Sequence, residues 1–128
     1  MKRVVGWCSV ALYCSIIFFL SAQQNLSLPS IPSIDKVAHF LEYVGLGWVC
    51  AYAWRNELPR WPSLTIIVFS TVFASAYGAS DEWHQAYVPG RTSDWRDWAA
   101  DTCGGFVGGI LYMSWLRIRE SFWRRLTP

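Results

Sequence analysis

Val4 to Ala22 is a run of nineteen residues without a charge, close to the roughly 20 residues that a helix needs to cross a hydrocarbon layer of about 30 Å. Trp61 to Ser80 is a second such run, twenty residues bounded by Arg60 and Asp81. Two further apolar stretches, Val37 to Trp54 and Trp98 to Leu116, are interrupted only near their starts, by His39 and Glu42 in the first and by Asp101 in the second. Backbone polar groups in lipid must be satisfied within the segment, which leaves a helix as the conformation for runs of this kind. The pattern predicts an all-α, polytopic membrane protein: an antiparallel bundle of four transmembrane helices, spans near 4–22, 37–54, 61–80 and 98–116, in a single domain over residues 1–128.

The first run has a competing reading as a cleaved signal peptide, since Lys2 and Arg3 make a basic start and Ser21-Ala22 offers small residues to a peptidase. Its apolar stretch exceeds the usual 7–15 residues of a signal core, and Leu20 would sit where a small residue is preferred. Retention of the span is therefore expected.

Composition agrees with the pattern. Of 128 residues 53% are hydrophobic and 16% are charged, against roughly 25% charged in a soluble domain. Nine tryptophans, seven phenylalanines and six tyrosines are too many for one water-soluble core of this length. High hydrophobicity excludes a disordered tail. A pI near 8.4 falls short of the basic values above about 9 that mark nucleic-acid binders, so no nucleic-acid partner is expected.

Charge also sets orientation, because Lys and Arg collect on the cytoplasmic side. Eight basic residues (Lys2, Arg3, Arg55, Arg60, Arg117, Arg119, Arg124, Arg125) fall on one side of the four spans and three (Lys36, Arg91, Arg96) on the other. Both termini should be cytoplasmic, in a multi-pass protein of the cell membrane. Trp54, Trp61 and Trp115 would mark the inner interface, and Trp83, Trp95 and Trp98 the outer one. With the acids included, the near-neutral total of +2 separates into +6 inside and −4 outside.

Seven acids thus gather on the outer side. Asp35, Lys36, His39 and Glu42 open the second span, Asp81, Glu82, His84 and Gln85 close the third, and Asp94, Arg96, Asp97 and Asp101 open the fourth. Ionisable groups at membrane depth are costly and mark function by default, and three helices packed together would bring these ends into one outward pocket. Residues three and four apart share a helix face, which aligns His39 with Tyr43, Glu82 with Gln85, and Asp97 with Asp101. The last face continues into Gly104, Gly105, Gly108 and Gly109, two overlapping Gly-x-x-x-Gly registers that permit close helix contact.

Between the third and fourth spans, Pro89-Gly90 forms a turn that presents Arg91, and Ser93 or Asp94 is placed to cap the next helix. An arginine beside a helix N-terminus suits a phosphate or carboxylate; equally, Arg91 could serve only to neutralise Asp97 or Glu82. The first outer connection, Gln23 to Lys36, contains Pro29 and Pro32 and reads as an extended strap; its Asn25-Leu26-Ser27 matches a glycosylation acceptor too short to carry weight. Cys8, Cys14, Cys50 and Cys103 lie in the spans as apolar filler.

Asp35-Lys36-x-x-His39-Phe40-x-x-Tyr43, then Ser80-Asp81-Glu82-x-x-Gln85, then Pro89-Gly90-Arg91 with Asp97, Asp101 and Gly104, resembles the VanZ-like family of small integral membrane proteins. The resemblance covers roughly residues 35–109. Many members carry Asn where this chain has Asp101, and Asn cannot ionise. The resemblance implies action at the bacterial cell envelope and a link to low-level resistance to the glycopeptide teicoplanin, without naming a reaction. A phosphotransbutyrylase label borne by some relatives finds no glycine-rich phosphate loop here to hold coenzyme A.

Two functions compete. In one, the outer pocket binds or modifies an anionic lipid-linked or cell-wall-related molecule, with His39, Glu82 and Asp97 as candidate catalytic groups and Asp35, Lys36, Tyr43, Gln85, Arg91 and Asp101, beside Glu42, as ligand-binding groups. In the other, the protein is a non-enzymatic scaffold or binding module and the polar cluster is a lock between helices. A metal site built from His39, Glu42, Glu82 and His84 is disfavoured, because Glu82 and His84 are two apart and point to different sides of a helix. No metal or cofactor is expected, and partners beyond the lipid bilayer and such a ligand, including further copies of the chain, are left open.

Overall fold

The computed structural model describes residues 1–24 and 34–126, and all regular structure in them is helical. The four helices are α1 (Lys2–Ser21), α2 (Ile34–Glu57), α3 (Ser63–Gln85) and α4 (Trp95–Leu126). Helices α2 and α4 enclose their apolar runs and extend past them at both ends, whereas α1 stops one residue short of Ala22 and α3 starts two residues after Trp61. Pro29, Pro32 and the Asn25-Leu26-Ser27 motif lie outside the described residues. Asp35 and Lys36, at the end of the expected strap, already belong to the first turn of α2, where an acid favours the helix N-terminus.

Chain direction alternates. Gly6 of α1 lies against Ala53 of α2, and Tyr13 of α1 against Gly45, so these two helices run antiparallel. Asp101 packs on Gly78 and Gly109 on Ile67, so α3 and α4 also oppose each other. Between α2 and α4, Gly104 meets Phe40 and Gly108 meets Val44, an ascending pairing that makes these two parallel. The α2/α4 seam is the most extensive in the molecule; α1 packs on α2, touches α3 lightly and makes no contact with α4 among the described residues.

Glycine explains why that seam is tight. A Cβ at Gly104 would run into the carbonyl oxygen of Phe40, one at Gly108 into that of Val44, and one at Gly47 into that of Gly105. Gly105 and Gly109 instead face Ala74 and Ile67 of α3. The two glycine registers on α4 therefore serve two different neighbours, a refinement the sequence spacing could not supply. Close backbone approach of this kind is one of the forces that join helices in lipid, where apolar burial between neighbours gains little.

Two apolar clusters fill the rest of the interior. Val10, Ile17, Tyr43, Leu46, Cys50, Ala53 and Ala74 form one, and Ala51, Ile66, Tyr112, Met113 and Leu116 the other. Outside them the surface is apolar: Val4, Leu12, Ile16 and Phe19 of α1, Val37 and Leu41 of α2, Leu64, Val68 and Val72 of α3, and Phe106, Ile110 and Leu111 of α4 are all exposed. By length and composition α1 and α3 can each cross a membrane.

Two sequence expectations change in detail. Of the four free cysteines, Cys50 alone is buried, while Cys8 and Cys103 are exposed on their helices and Cys14 is intermediate. Trp54 does not face outward as an interface marker but packs edge-on to Trp7 at 4.9 Å and against Phe69 at 5.2 Å, because α1 and α3 flank it. Trp61 and Trp115 at one end, and Trp83, Trp95 and Trp98 at the other, are exposed. Helix α4 runs ten residues beyond Leu116, carrying Arg117, Arg119, Arg124 and Arg125 past the apolar zone.

Candidate functional site

The polar ends of α2, α3 and α4 do come together. Asp35, Lys36, His39 and Tyr43 occupy the first turns of α2, Asp81, Glu82 and Gln85 the last turns of α3, and Asp97 and Asp101 the first turns of α4. The alternating topology puts these three ends on the same side. His39, Tyr43, Asp81, Glu82, Gln85, Asp97 and Asp101 are all buried, an unusual concentration for groups that lose hydration on burial.

The loop between α3 and α4 is built by its turn. Pro89 and Gly90 take the central positions of a type II turn, with Gly90 at φ +82° and the Arg91 N–H donating to the Val88 carbonyl at 3.1 Å; the positive φ calls for glycine. Asp94 then caps α4, its Oδ1 accepting from the Arg96 N–H at 2.9 Å. The Asp94 N–H itself donates to Glu82 Oε2 at 2.8 Å, which ties the loop to α3.

Charge in this region is divided between two cations. Lys36 Nζ lies 3.0 Å from Asp35 Oδ2, 3.4 Å from Asp94 Oδ2 and 3.2 Å from Asp97 Oδ1. The hydrogen bond to Asp35, and then the neighbouring Asp97, hold the ammonium well above the ordinary lysine range. The same bond from Lys36 holds the Asp35 carboxyl below its usual value, and the Arg96 N–H, with Lys36 behind it, does so for Asp94. Lys36 thereby clamps α2 to the start of α4.

Arg91 is differently placed. Its Nη2 donates to Gln85 Oε1 at 3.2 Å, and Gln85 is oriented by its Nε2 donating to Asp81 Oδ2 at 2.8 Å. Among the described residues Arg91 makes no ion pair with either Asp97 or Glu82, so its charge is not spent on those acids. A cavity of about 320 Å³ opens beside it, lined by Asp35, His39, Glu42, Asp81, Gln85, Arg91 and Asp97 together with Leu20 and Ser21 of α1.

Of the residues singled out in the sequence, His39, Asp97, Asp35, Gln85 and Arg91 line this cavity, with Glu42. Lys36, Tyr43, Glu82 and Asp101 do not line it. Tyr43 is fully buried, with a hydroxyl that has no hydrogen-bond partner among the described residues. Asp81 was not among the selected site residues, yet it positions Gln85; its i, i+4 spacing to Gln85 was the available signal. Leu20 and Ser21 come from α1, whose charge-free run carries no chemical motif.

Behind the cavity wall, His39 Nδ1 and Asp101 Oδ1 are 3.0 Å apart, and Glu82 Oε1 is 4.0 Å from the same nitrogen. Gly78 makes room for this arrangement, since a Cβ there would lie 2.8 Å from Asp101 Oδ2. One donor atom each from His39, Glu82 and Asp101 falls within 4.8 Å of the others, close enough to share a cation. His84 is not part of this group: its ring lies against Phe18 with centroids 4.5 Å apart.

In comparisons with known proteins, the family model described as VanZ/LLP1 matches residues 7–117. A search of curated proteins and of solved structures gave no match.

Proposed function

Because the chain belongs to the VanZ/LLP1 family, we propose that it is a four-span envelope protein whose outward cavity binds an anionic, lipid-linked or cell-wall-related molecule through Arg91. The belt of exposed apolar side chains on all four helices supports four spans rather than two. In α2 and α4 the burial of His39, Asp97 and Asp101 turns the ionisable groups away from that belt. The excess of basic residues at the opposite end supports cytoplasmic termini and, with them, a cavity at the outer face of the bacterial membrane.

The observation that carries the binding reading is the guanidinium of Arg91 on the cavity wall, bonded to a neutral amide and to no carboxylate among the described residues. Fixed by the Asp81–Gln85 pair, it offers its remaining N–H groups to a phosphate or carboxylate in a fork geometry. His39, on the same wall and held through Nδ1 by Asp101, is the group best placed to move a proton if the bound molecule is modified. A contribution to teicoplanin resistance follows from the same reading, by way of a cell-wall-related ligand.

Lys36 supports a second role for part of the cluster. Its ties to Asp35, Asp94 and Asp97 are those of a helix lock, which shares Asp35 and Asp97 with the cavity wall and leaves Arg91 to the pocket.

Lipid and glycolipid retained by the purified protein, quantified by mass spectrometry, test the binding reading. Arg91→Ala should lose the anionic species by roughly tenfold or more, the worth of a charged hydrogen bond, with helicity and yield unchanged, and Arg91→Lys should fall between. Equal retention in wild type and Arg91→Ala would overturn the assignment.

A further inference from the structure

We propose that His39, Glu82 and Asp101 form a binding site for one divalent cation, Zn²⁺ or Mn²⁺, behind the inner wall of the cavity. The three residues come from three different helices, and each is buried: His39 is 7% exposed, Glu82 6% and Asp101 0%. Two carboxylates and an imidazole this close, away from water, carry an electrostatic cost that a shared cation relieves.

Two oxygens are left over by the protein's own bonding. Glu82 Oε1 and Asp101 Oδ2 are buried with no hydrogen-bond partner among the described residues. Glu82 Oε1 faces His39 Nδ1 at 4.0 Å, and Asp101 presents Oδ1 to the same nitrogen at 3.0 Å; the ion takes the place of the proton that joins Nδ1 and Oδ1 in its absence, and that proton is released to solvent. With metal–nitrogen and metal–oxygen bonds of about 2.0–2.2 Å, two ligand atoms on one ion stand roughly 3.0–3.5 Å apart. The two separations from Nδ1 bracket that range, and movement of Glu82 toward the other two donors closes the set.

The surroundings hold the donors for this use. Glu82 Oε2 accepts the Asp94 N–H, which fixes the plane of the carboxylate and leaves Oε1 to the ion, the arrangement by which outer partners orient metal ligands. Gly78 lets the Asp101 carboxylate approach where any side chain would block it. One imidazole nitrogen with two carboxylate oxygens favours Zn²⁺ or Mn²⁺ over Ca²⁺ or Mg²⁺, which prefer oxygen alone. Three protein ligands leave positions open, as in sites that act on a bound molecule. His39 also lines the cavity that holds Arg91, so an anionic group there could meet cation and guanidinium together.

The sequence expectation was that no metal binds. Sequence spacing offers Glu42 and His84 beside His39 and Glu82, whereas the third donor, Asp101, lies sixty-two positions from His39.

The experiment uses the detergent-purified full chain, stripped with a chelator, dialysed against ZnCl₂ or MnCl₂ and assayed by elemental mass spectrometry. Wild type should bind about one ion per chain. Glu82→Gln and Asp101→Asn should each weaken that binding by about tenfold or more, whereas His84→Ala and Arg91→Ala should retain it. Glu82→Gln keeps the shape and the acceptor for Asp94, so it carries the test if Asp101→Asn does not fold. No stoichiometric ion in wild type, or unchanged affinity in folded Glu82→Gln, would overturn the site. The probe is the metal alone, so that result would leave the Arg91 reading standing, and loss of lipid in Arg91→Ala would leave the metal site standing.

Discussion

Gly104→Ala and Gly108→Ala should each destabilise the bundle by roughly 2–3 kcal/mol, the upper range for overpacking a close contact, although alanine is the better helix former by about 1 kcal/mol. The added methyl at position 104 would meet the Phe40 carbonyl oxygen and come within 3.0 Å of both Tyr43 Cβ and Val44 N; at position 108 it would meet the Val44 carbonyl oxygen and come within 2.8 Å of Trp48 N. These are chiefly backbone atoms of α2, which cannot swing aside as a side chain can, so α2 and α4 must separate along their whole seam. Gly109 is the internal comparison. Its new Cβ would lie 3.5 Å from Ile67 Cα, an ordinary contact, and Gly109→Ala should be neutral or stabilising by up to about 1 kcal/mol. Unfolding of the three variants in mixed micelles checks this, and equal effects at 104, 108 and 109 would contradict the packing account.

Lys36→Met should cost about 2–3 kcal/mol at neutral pH, less than the roughly 3–5 kcal/mol for breaking a fully buried ion pair, because the Lys36 side chain is itself 28% exposed. It leaves Asp97, 7% exposed at its side chain, without its cation, beside Asp35 and Asp94. The pH dependence has a definite sign. In wild type the folded-state carboxyls of Asp35 and Asp94 are held below their ordinary value. Their contribution is therefore present above about pH 4, the usual Asp value, and is lost as pH falls through their lower folded values. In Lys36→Met the main cause of the Asp35 shift is gone, while Asp94 keeps its bond from the Arg96 N–H. The variant should lose less stability on acidification than wild type, so the gap between the two narrows from pH 7 to pH 3. Thermal unfolding followed by circular dichroism across that range measures it; a gap that is constant or widens in acid would contradict the clamp.

The two variants probe different layers of what was legible in the chain. Four helices were readable because an apolar run of about 20 residues has few alternatives in lipid, and each of α1 to α4 covers all or nearly all of its expected run. The inward face of α4 was readable too, since Asp97, Asp101, Gly104 and Gly108 follow helical spacing. The partners were not. Arg91 could be matched on paper with Glu82 or Asp97, yet it meets Gln85, while Lys36 takes Asp35, Asp94 and Asp97. Glu82 aligned with Gln85 by spacing, but Gln85 bonds Asp81, one turn back on the same helix. Trp54 looked like an interface residue and is instead enclosed by Trp7 and Phe69, because only the packing of α1 and α3 around α2 decides which side of that helix is covered.

By itself, then, the sequence determined the local quantities: the length and character of each helix, the faces their residues share, the concentration of polar groups at one end, and the resemblance that family comparison bears out. Only the tertiary structure decided which face meets which. That choice depends on how closely two backbones approach, here to the point where any Cβ at 47, 104 or 108 would run into a carbonyl oxygen of the facing helix. The approach sets the height of α2 against α4, and with it the meeting of His39 with Asp101. Spacing along one helix is fixed by the covalent chain, whereas a 3.0 Å contact between residues sixty-two apart is fixed by packing across it.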